Sequence, residues 1–195
     1  MPKGLEVQVL SRALMKLIDR TYVESNKEEI IEAIKSGKIF IYPTDTIYGL
    51  GCNAYIEDAV DKVRTIKKRD DRPISVMSPS KVWIEENCEA KKEDLDKYLP
   101  GPYTLIFNRS SNLVAQSVNS KDNTLGVRIP DHWFSGIVSE AGVPFVTTSV
   151  NLSGEKHMEK LEDVSEEVLN QVDYVVYEGE KRGKRSEKVV LTKLG

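Results

Sequence analysis

Four dispersed groups of polar residues in this chain have the types and spacing to do chemistry. They are Thr44, Asp45 and Thr46; Lys67, Arg69 and Arg72; Thr124 with Arg128; and Thr147, Thr148, Ser149, Asn151 and Ser153. Lysine and arginine neutralise phosphate, and arginine can grip it through two parallel hydrogen bonds. Hydroxyl and amide groups recognise a hydroxyl-bearing ligand. Phosphoryl or nucleotidyl transfer asks mainly for such positioning and charge neutralisation, with no protein nucleophile. Each group alone also suits a solvated loop, but four in one small chain point to a shared site for an anionic ligand.

Other devices are set aside. Gly49 to Ala54 formally matches the dinucleotide fingerprint G-x-G-x-x-A, yet its first glycine lies seven residues beyond Tyr42, where the turn should follow the strand at once. No P-loop sequence occurs. The only histidines, His132 and His157, are far apart and read as surface or loop residues, so a histidine triad or metal cluster has little to draw on.

The elements that position these groups alternate between helix and strand. Residues 1–24 read as an extended N-terminal arm, with Leu5, Val7 and Val9 alternating and Leu14, Leu17 and Ile18 at a more helical spacing. Ser25-x-x-Glu28 is a capping-box pattern before the apolar face Ile30, Ile31 and Ile34, and Gly37 ends that helix. A strand Ile39–Tyr42 stops at Pro43 and spills into hydroxyls, a carboxylate and the pair Gly49 and Gly51, which lets backbone approach a ligand. Asn53 or Asp58 starts a helix with Val60, Val63 and Ile66 inward, ending in the cations Lys67, Lys68 and Arg69.

Strands are further predicted at Ile74–Met77, Tyr103–Phe107, Thr124–Ile129, Pro144–Val150, Tyr174–Tyr177 and Val189–Leu191. Helices are predicted around Lys81–Asn87, Lys91–Tyr98, behind an Asp131 cap to Gly142, and over Glu162–Gln171. With no repeat and no linker, the class is α/β around a mixed sheet, in a single domain spanning residues 1–195.

The 195 residues are 39% apolar and 30% charged, with a formal net charge of −3, which argues against a strongly cationic nucleic-acid binder. Cys52 and Cys88 form no disulfide framework, favouring a reducing, cytoplasmic setting. No run of 18 apolar residues and no signal peptide is found, so neither membrane nor export is indicated.

Five motifs in order carry a specific resemblance: Pro43 to Gly51 (P-T-D-T-I-Y-G-L-G), Lys67-Lys68-Arg69 with Arg72-Pro73, Gly101 to Ile106 (G-P-Y-T-L-I), Thr124 to Pro130 (T-L-G-V-R-I-P) and Ser149 to Gly154 (S-V-N-L-S-G). From about Ser25 to Gly154 the chain resembles the YrdC-type threonylcarbamoyl-AMP synthases. The resemblance implies a twisted mixed sheet with flanking helices and a large open cavity. It implies a reaction of L-threonine, bicarbonate and ATP to threonylcarbamoyl-adenylate and pyrophosphate. The product passes to a tRNA threonylcarbamoyl transferase machinery that modifies the adenosine beside the anticodon. Thr44 and Thr46 would help hold threonine, Arg128 would pair with its carboxylate, and Ser149 would line that side. Lys67 and Arg69 would hold ATP phosphates and act catalytically, with Arg72, Thr124 and Asn151 on the nucleotide. Magnesium is expected, held by phosphates and waters with no protein ligand.

Two departures from the family pattern stand out. One residue fewer separates Arg69 from Pro73, and Arg185-Ser186-Glu187-Lys188-Val189 replaces a small-hydroxyl S-T-V run. The chain also ends where longer members carry a linker and a further domain. The alternative is a paralogue that grips tRNA, double-stranded RNA or a nucleotide without synthase activity, using the basic run Lys181, Arg182, Lys184 and Arg185, which otherwise reads as a solvated loop.

Overall fold

The computed structural model describes residues 8–9, 15–68, 71–111, 114–152 and 156–192. Ten strands among them form one mixed sheet. In chain order they are β1 (Gln8–Val9), β2 (Lys16–Ile18), β3 (Phe40–Tyr42), β4 (Gly49–Gly51), β5 (Ser75–Met77), β6 (Tyr103–Asn108), β7 (Thr124–Arg128), β8 (Phe145–Ser149), β9 (Tyr174–Val176) and β10 (Glu187–Val190). Their order across the sheet is β1-β2-β9-β3-β4-β8-β5-β7-β6-β10. Pairing is parallel at β2–β9, β3–β9, β5–β7 and β6–β10 and antiparallel elsewhere.

Seven helices flank the sheet: α1 (Arg20–Ser25), α2 (Lys27–Lys35), α3 (Glu57–Ile66), α4 (Lys81–Asn87), α5 (Lys92–Tyr98), α6 (Trp133–Ala141) and α7 (Glu166–Leu169). Alternation along β3 sends Phe40 and Tyr42 into a core with Ile30, Ile34, Phe134 and Phe145, and Ile39 and Ile41 into a second core with Val60, Val63 and Ile66. The first core is aromatic, with Tyr42 stacked on Phe134 at 5.0 Å and Phe40 on Tyr174 at 4.7 Å. Among the described residues no helix is long and apolar enough to cross a membrane.

Several sequence expectations need correction. The described part of the arm is built into the sheet: Leu17 and Ile18 lie in β2 beside β9, and Leu5, Val7 and Leu14 fall outside the described residues. Ser25 ends α1 rather than capping α2. Asp19 caps α1 through the Tyr22 N–H at 2.8 Å, and Asn26 closes α1 by donating its amide to the Tyr22 carbonyl. Neither Asn53 nor Asp58 caps α3, which follows Ile56; the Asn53 amide instead holds the Lys35 carbonyl at 2.9 Å. His132, not Asp131, caps α6, its Nδ1 accepting the Phe134 N–H at 3.3 Å, and the Asp131 N–H is donated to Asp45 at 3.1 Å. The helix expected over Glu162–Gln171 is interrupted, since Ser165 starts α7 with a fresh cap.

The glycine pair serves the sheet more than a ligand. A Cβ on Gly49 would lie 2.7 Å from the Tyr42 ring, and one on Gly51 only 1.9 Å from the Val146 carbonyl oxygen. Gly51→Ala must therefore spread β4 from β8. It is expected to cost at least about 2 kcal/mol of folding stability, read from urea unfolding against the parent chain.

Candidate functional site

One face of the β8-β5-β7-β6-β10 half of the sheet forms the floor of an open cavity of about 610 Å³. Strand periodicity aims the lining: Thr124, Gly126 and Arg128 from β7, Thr104 and Ile106 from β6, Lys188 from β10 with Ser186 just before it. Thr147, Thr148 and Ser149 come from β8, Ser75 from β5, and Thr44, Ile47, Tyr48 and Gly49 from the segment after β3. Arg72 and Arg185 stand at the rim and are exposed. Among the described residues the wall thus carries four cations, eight serine and threonine hydroxyls and no carboxylate.

Arg128 lies deep, at 5% exposure. Its Nη2 reaches Asp45 Oδ1 at 2.6 Å, and both terminal nitrogens lie 3.4 Å from Thr46 Oγ1. Burial pulls the guanidinium below its ordinary pKa, while the Asp45 carboxylate opposes that shift. Its Nε is buried with no hydrogen-bond partner. The Thr44 and Thr46 hydroxyls bond each other at 3.0 Å, and Thr44 donates to the Ile47 carbonyl at 2.7 Å, so this turn is fixed in shape before any ligand arrives.

Lys67 is placed differently from a solvent-facing phosphate ligand. It is 2% exposed at the end of α3, and its ammonium donates to the Ser149 carbonyl, the Asn151 carbonyl at 2.9 Å and Asn151 Oδ1 at 3.0 Å. An ammonium has three protons, and these three acceptors match them. Ser149 Oγ donates to the same Asn151 oxygen at 2.5 Å. Lys67 and Asn151 therefore sit behind the wall and hold Ser149 onto it.

Of the residues singled out in the sequence, Thr44, Arg72, Thr124, Arg128 and Ser149 meet on the cavity wall. Thr46 faces an adjoining outer groove of about 470 Å³, and Arg69 lies outside the described residues. Sequence reasoning missed Ser75, Thr104, Ser186 and Lys188 as wall residues and placed Arg185 only in the basic run of the RNA-binding alternative or in a solvated loop. Alternation flanking the predicted C-terminal strand was the available signal for Ser186 and Lys188; its pairing with β6 was not readable.

The fingerprint match at Gly49–Ala54 is no nucleotide turn, since Gly49–Gly51 is the strand β4. Among the described residues no group of three or more His, Cys, Asp or Glu is placed to hold a metal ion. With no carboxylate among the described residues of the wall, a protein-held magnesium does not fit this donor set.

Residues 32–193 match the Sua5/YciO/YrdC family, whose description reads telomere recombination. A Methanocaldococcus jannaschii protein, provisionally named a threonylcarbamoyl-AMP synthase, is 37% identical over 162 residues, covering 78% of this chain and 75% of its own. Threonylcarbamoyl-AMP synthase of Vibrio vulnificus is 29% identical over 161 residues, 78% of this chain and 86% of its own. The structure of P. abyssi Sua5 complexed with L-threonine superposes with a TM-score of 0.80 at 26% identity; the match covers 92% of this chain and 54% of that one. A match over residues 32–193, in a chain of the same fold with these motifs in the same order, has one meaning: the chain belongs to the Sua5/YciO/YrdC family.

Proposed function

We propose that the protein is an L-threonylcarbamoyladenylate synthase, converting L-threonine, bicarbonate and ATP to threonylcarbamoyl-AMP and pyrophosphate. The observation that carries this reading is the wall itself, which among the described residues bears four cations and eight serine and threonine hydroxyls without one carboxylate around about 610 Å³. That volume lies in the range of small-molecule sites, and the charge selects an anionic ligand. The relative solved with L-threonine, and those named for this synthesis, supply the substrate class.

The deep end suits the amino acid. Arg128 brings a guanidinium to this wall for a carboxylate, and the preformed Thr44 turn bounds the same end. The exposed rim, with Arg72, Arg185 and Lys188, suits the triphosphate, and Thr124 lies on this nucleotide side. Arg69 is proposed to join this phosphate group from the adjoining segment. The amine and bicarbonate first form a carbamate with loss of water. A carbamate oxygen then forms a bond to the α-phosphorus as the bond to pyrophosphate breaks. The rim cations stabilise the charge that leaves, which needs positioning and no nucleophile from the protein. Magnesium enters with the triphosphate as part of the substrate.

The product would be consumed by a tRNA threonylcarbamoyl transferase machinery in a cytoplasmic setting. The RNA-binding reading draws on one observation, the exposed Lys184 and Arg185 along the outer groove. Incubation with ATP, bicarbonate, threonine and magnesium decides between them. Threonine-dependent pyrophosphate and the adenylate mass are expected; salt-dependent RNA retention without either would favour the binding module.

Arg128→Lys is expected to raise the threonine KM about tenfold while leaving the ATP KM within about twofold, because a lysine cannot reproduce the planar fork. Equal movement of both constants would remove Arg128 from the amino-acid end.

Lys67→Met is expected to lower kcat about 10²-fold by letting the Ser149–Asn151 turn shift, although Lys67 itself lies behind the wall. The same variant should lose about 1–3 kcal/mol of stability, because the Ser149 and Asn151 carbonyls lose their donor. Single-turnover rates and urea unfolding on one preparation check both values.

A further inference from the structure

The segment from Glu178 to Ser186 crosses from β9 to β10 without regular structure and separates the cavity from the outer groove. It carries Arg185 to the rim of both and delivers Ser186 and Lys188 to the cavity. Its far end is fixed by the pairing of β10 with β6 and by the Thr104 and Ser186 hydroxyls at 2.7 Å. Midway, Gly183 presses on the Pro43–Gly51 segment, where a Cβ would lie 2.1 Å from the Thr46 carbonyl oxygen.

The root of this strap is held from two sides. Glu178 accepts from Trp133 Nε1 at 2.9 Å and Lys181 Nζ at 2.8 Å, and meets His132 Nε2 at 3.0 Å. The Tyr48 hydroxyl accepts from the Glu178 backbone N–H at 3.0 Å and donates to the Gly179 carbonyl at 2.7 Å. One phenol thus satisfies two consecutive backbone groups, at a glycine whose φ of 101° lies in the left-handed region. Tyr48 is itself immobile: it is fully buried, and its ring stacks on Tyr177 at 5.7 Å.

We infer that Tyr48 is a positioning residue for the nucleotide phosphates, acting through the strap: its hydroxyl fixes the strap's root and so the place of Arg185 at the cavity, while the pairing of β10 with β6 sets Lys188. This rests on the reading of the cavity as a site for ATP and threonine. Tyr48 lies on the Pro43–Gly51 segment, which also shapes the amino-acid end through Thr44. The tyrosine therefore ties the triphosphate end of the site to its amino-acid end. Removing only the hydroxyl leaves the ring in its core and frees the strap.

The test is Tyr48→Phe, read two ways, with Tyr174→Phe as a control that removes a tyrosine hydroxyl bonded to Glu29 at the far side of the sheet. The strap contains four trypsin sites, Lys181, Arg182, Lys184 and Arg185. Cleavage there, mapped by fragment mass, should be roughly tenfold faster in Tyr48→Phe, because two backbone groups lose their partner. Saturating ATP should protect the wild type and protect the variant less. In pyrophosphate release, the ATP KM should rise about tenfold with the threonine KM within about twofold.

Wild-type cleavage rates in Tyr48→Phe would overturn the anchor. Faster cleavage with an unchanged ATP KM would overturn the link to the phosphates, and so would an equal rise in both constants or the same effects from Tyr174→Phe. If the wild type released no threonine-dependent pyrophosphate, the proposed reaction would fall. The strap would then be judged from cleavage together with ATP binding by equilibrium dialysis, where normal binding by a freely cleaved variant overturns the inference.

Discussion

A guanidinium at 5% exposure is unfavourable unless it is paired, and Asp45 supplies the pair for Arg128 at 2.6 Å. The same carboxylate accepts the Asp131 N–H through its other oxygen. It therefore joins three pieces of chain: the segment after β3, the end of β7 and the approach to α6. Breaking this pair would leave a buried charge and two loose turns, so the geometry of the deep end depends on it. The pairing is also incomplete, because the Arg128 Nε keeps no partner. A buried unmade hydrogen bond costs about 1–3 kcal/mol, which the deep end bears within an otherwise satisfied pair.

The described wall stays free of carboxylates in a chain whose net charge is −3, and this has local causes. Alternation on β10 turns Glu187 to the outer groove while Ser186 and Lys188 face the cavity. Asp122, beside Thr124, is engaged by the Thr124 N–H at 2.9 Å and hydroxyl at 2.5 Å. These bonds hold the Asp122 carboxyl below its usual range, the Thr124 hydroxyl contributing most. Asp45 is committed to Arg128. Negative charge near the site is thus consumed in building it, and the cations of the rim are left to a ligand.

Much of this was legible in the sequence. The α/β class, seven of the ten strands and the inward faces of α2 and α3 follow from periodicity, whereas β1, β2 and β4 were not foreseen, and Gly37 and Gly142 end helices with φ of 82° and 70°. The polar clusters meeting at strand ends were legible too, because hydroxyls and cations beside β-branched runs are unusual in a core. What escaped depends on contacts distant in sequence. Lys67 reads as a helix-end cation, yet its acceptors lie 82 and 84 residues away. Asp131 reads as a cap, and a partner 86 residues away takes its N–H. Gly49 and Gly51 read as room for a ligand, but their neighbours Tyr42 and Val146 come from adjoining strands.

The C-terminal run departs most from the family pattern, and strand geometry limits what the departure does. Glu187 stands where a small hydroxyl is usual, which by composition alone would put a negative charge among phosphates. In the β10 register Glu187 lies opposite Tyr103 and borders the outer groove, as Tyr103 does. The residues on either side, Ser186 and Lys188, line the cavity, where Lys188 adds a cation. A period of two therefore separates the change from the site and leaves the wall more cationic. Its electrostatic effect falls on the outer groove, where Glu187 stands with Lys181, Arg182, Lys184 and Arg185. A carboxylate there lowers the positive potential on the outer side of the strap and leaves that of the cavity wall to its own cations.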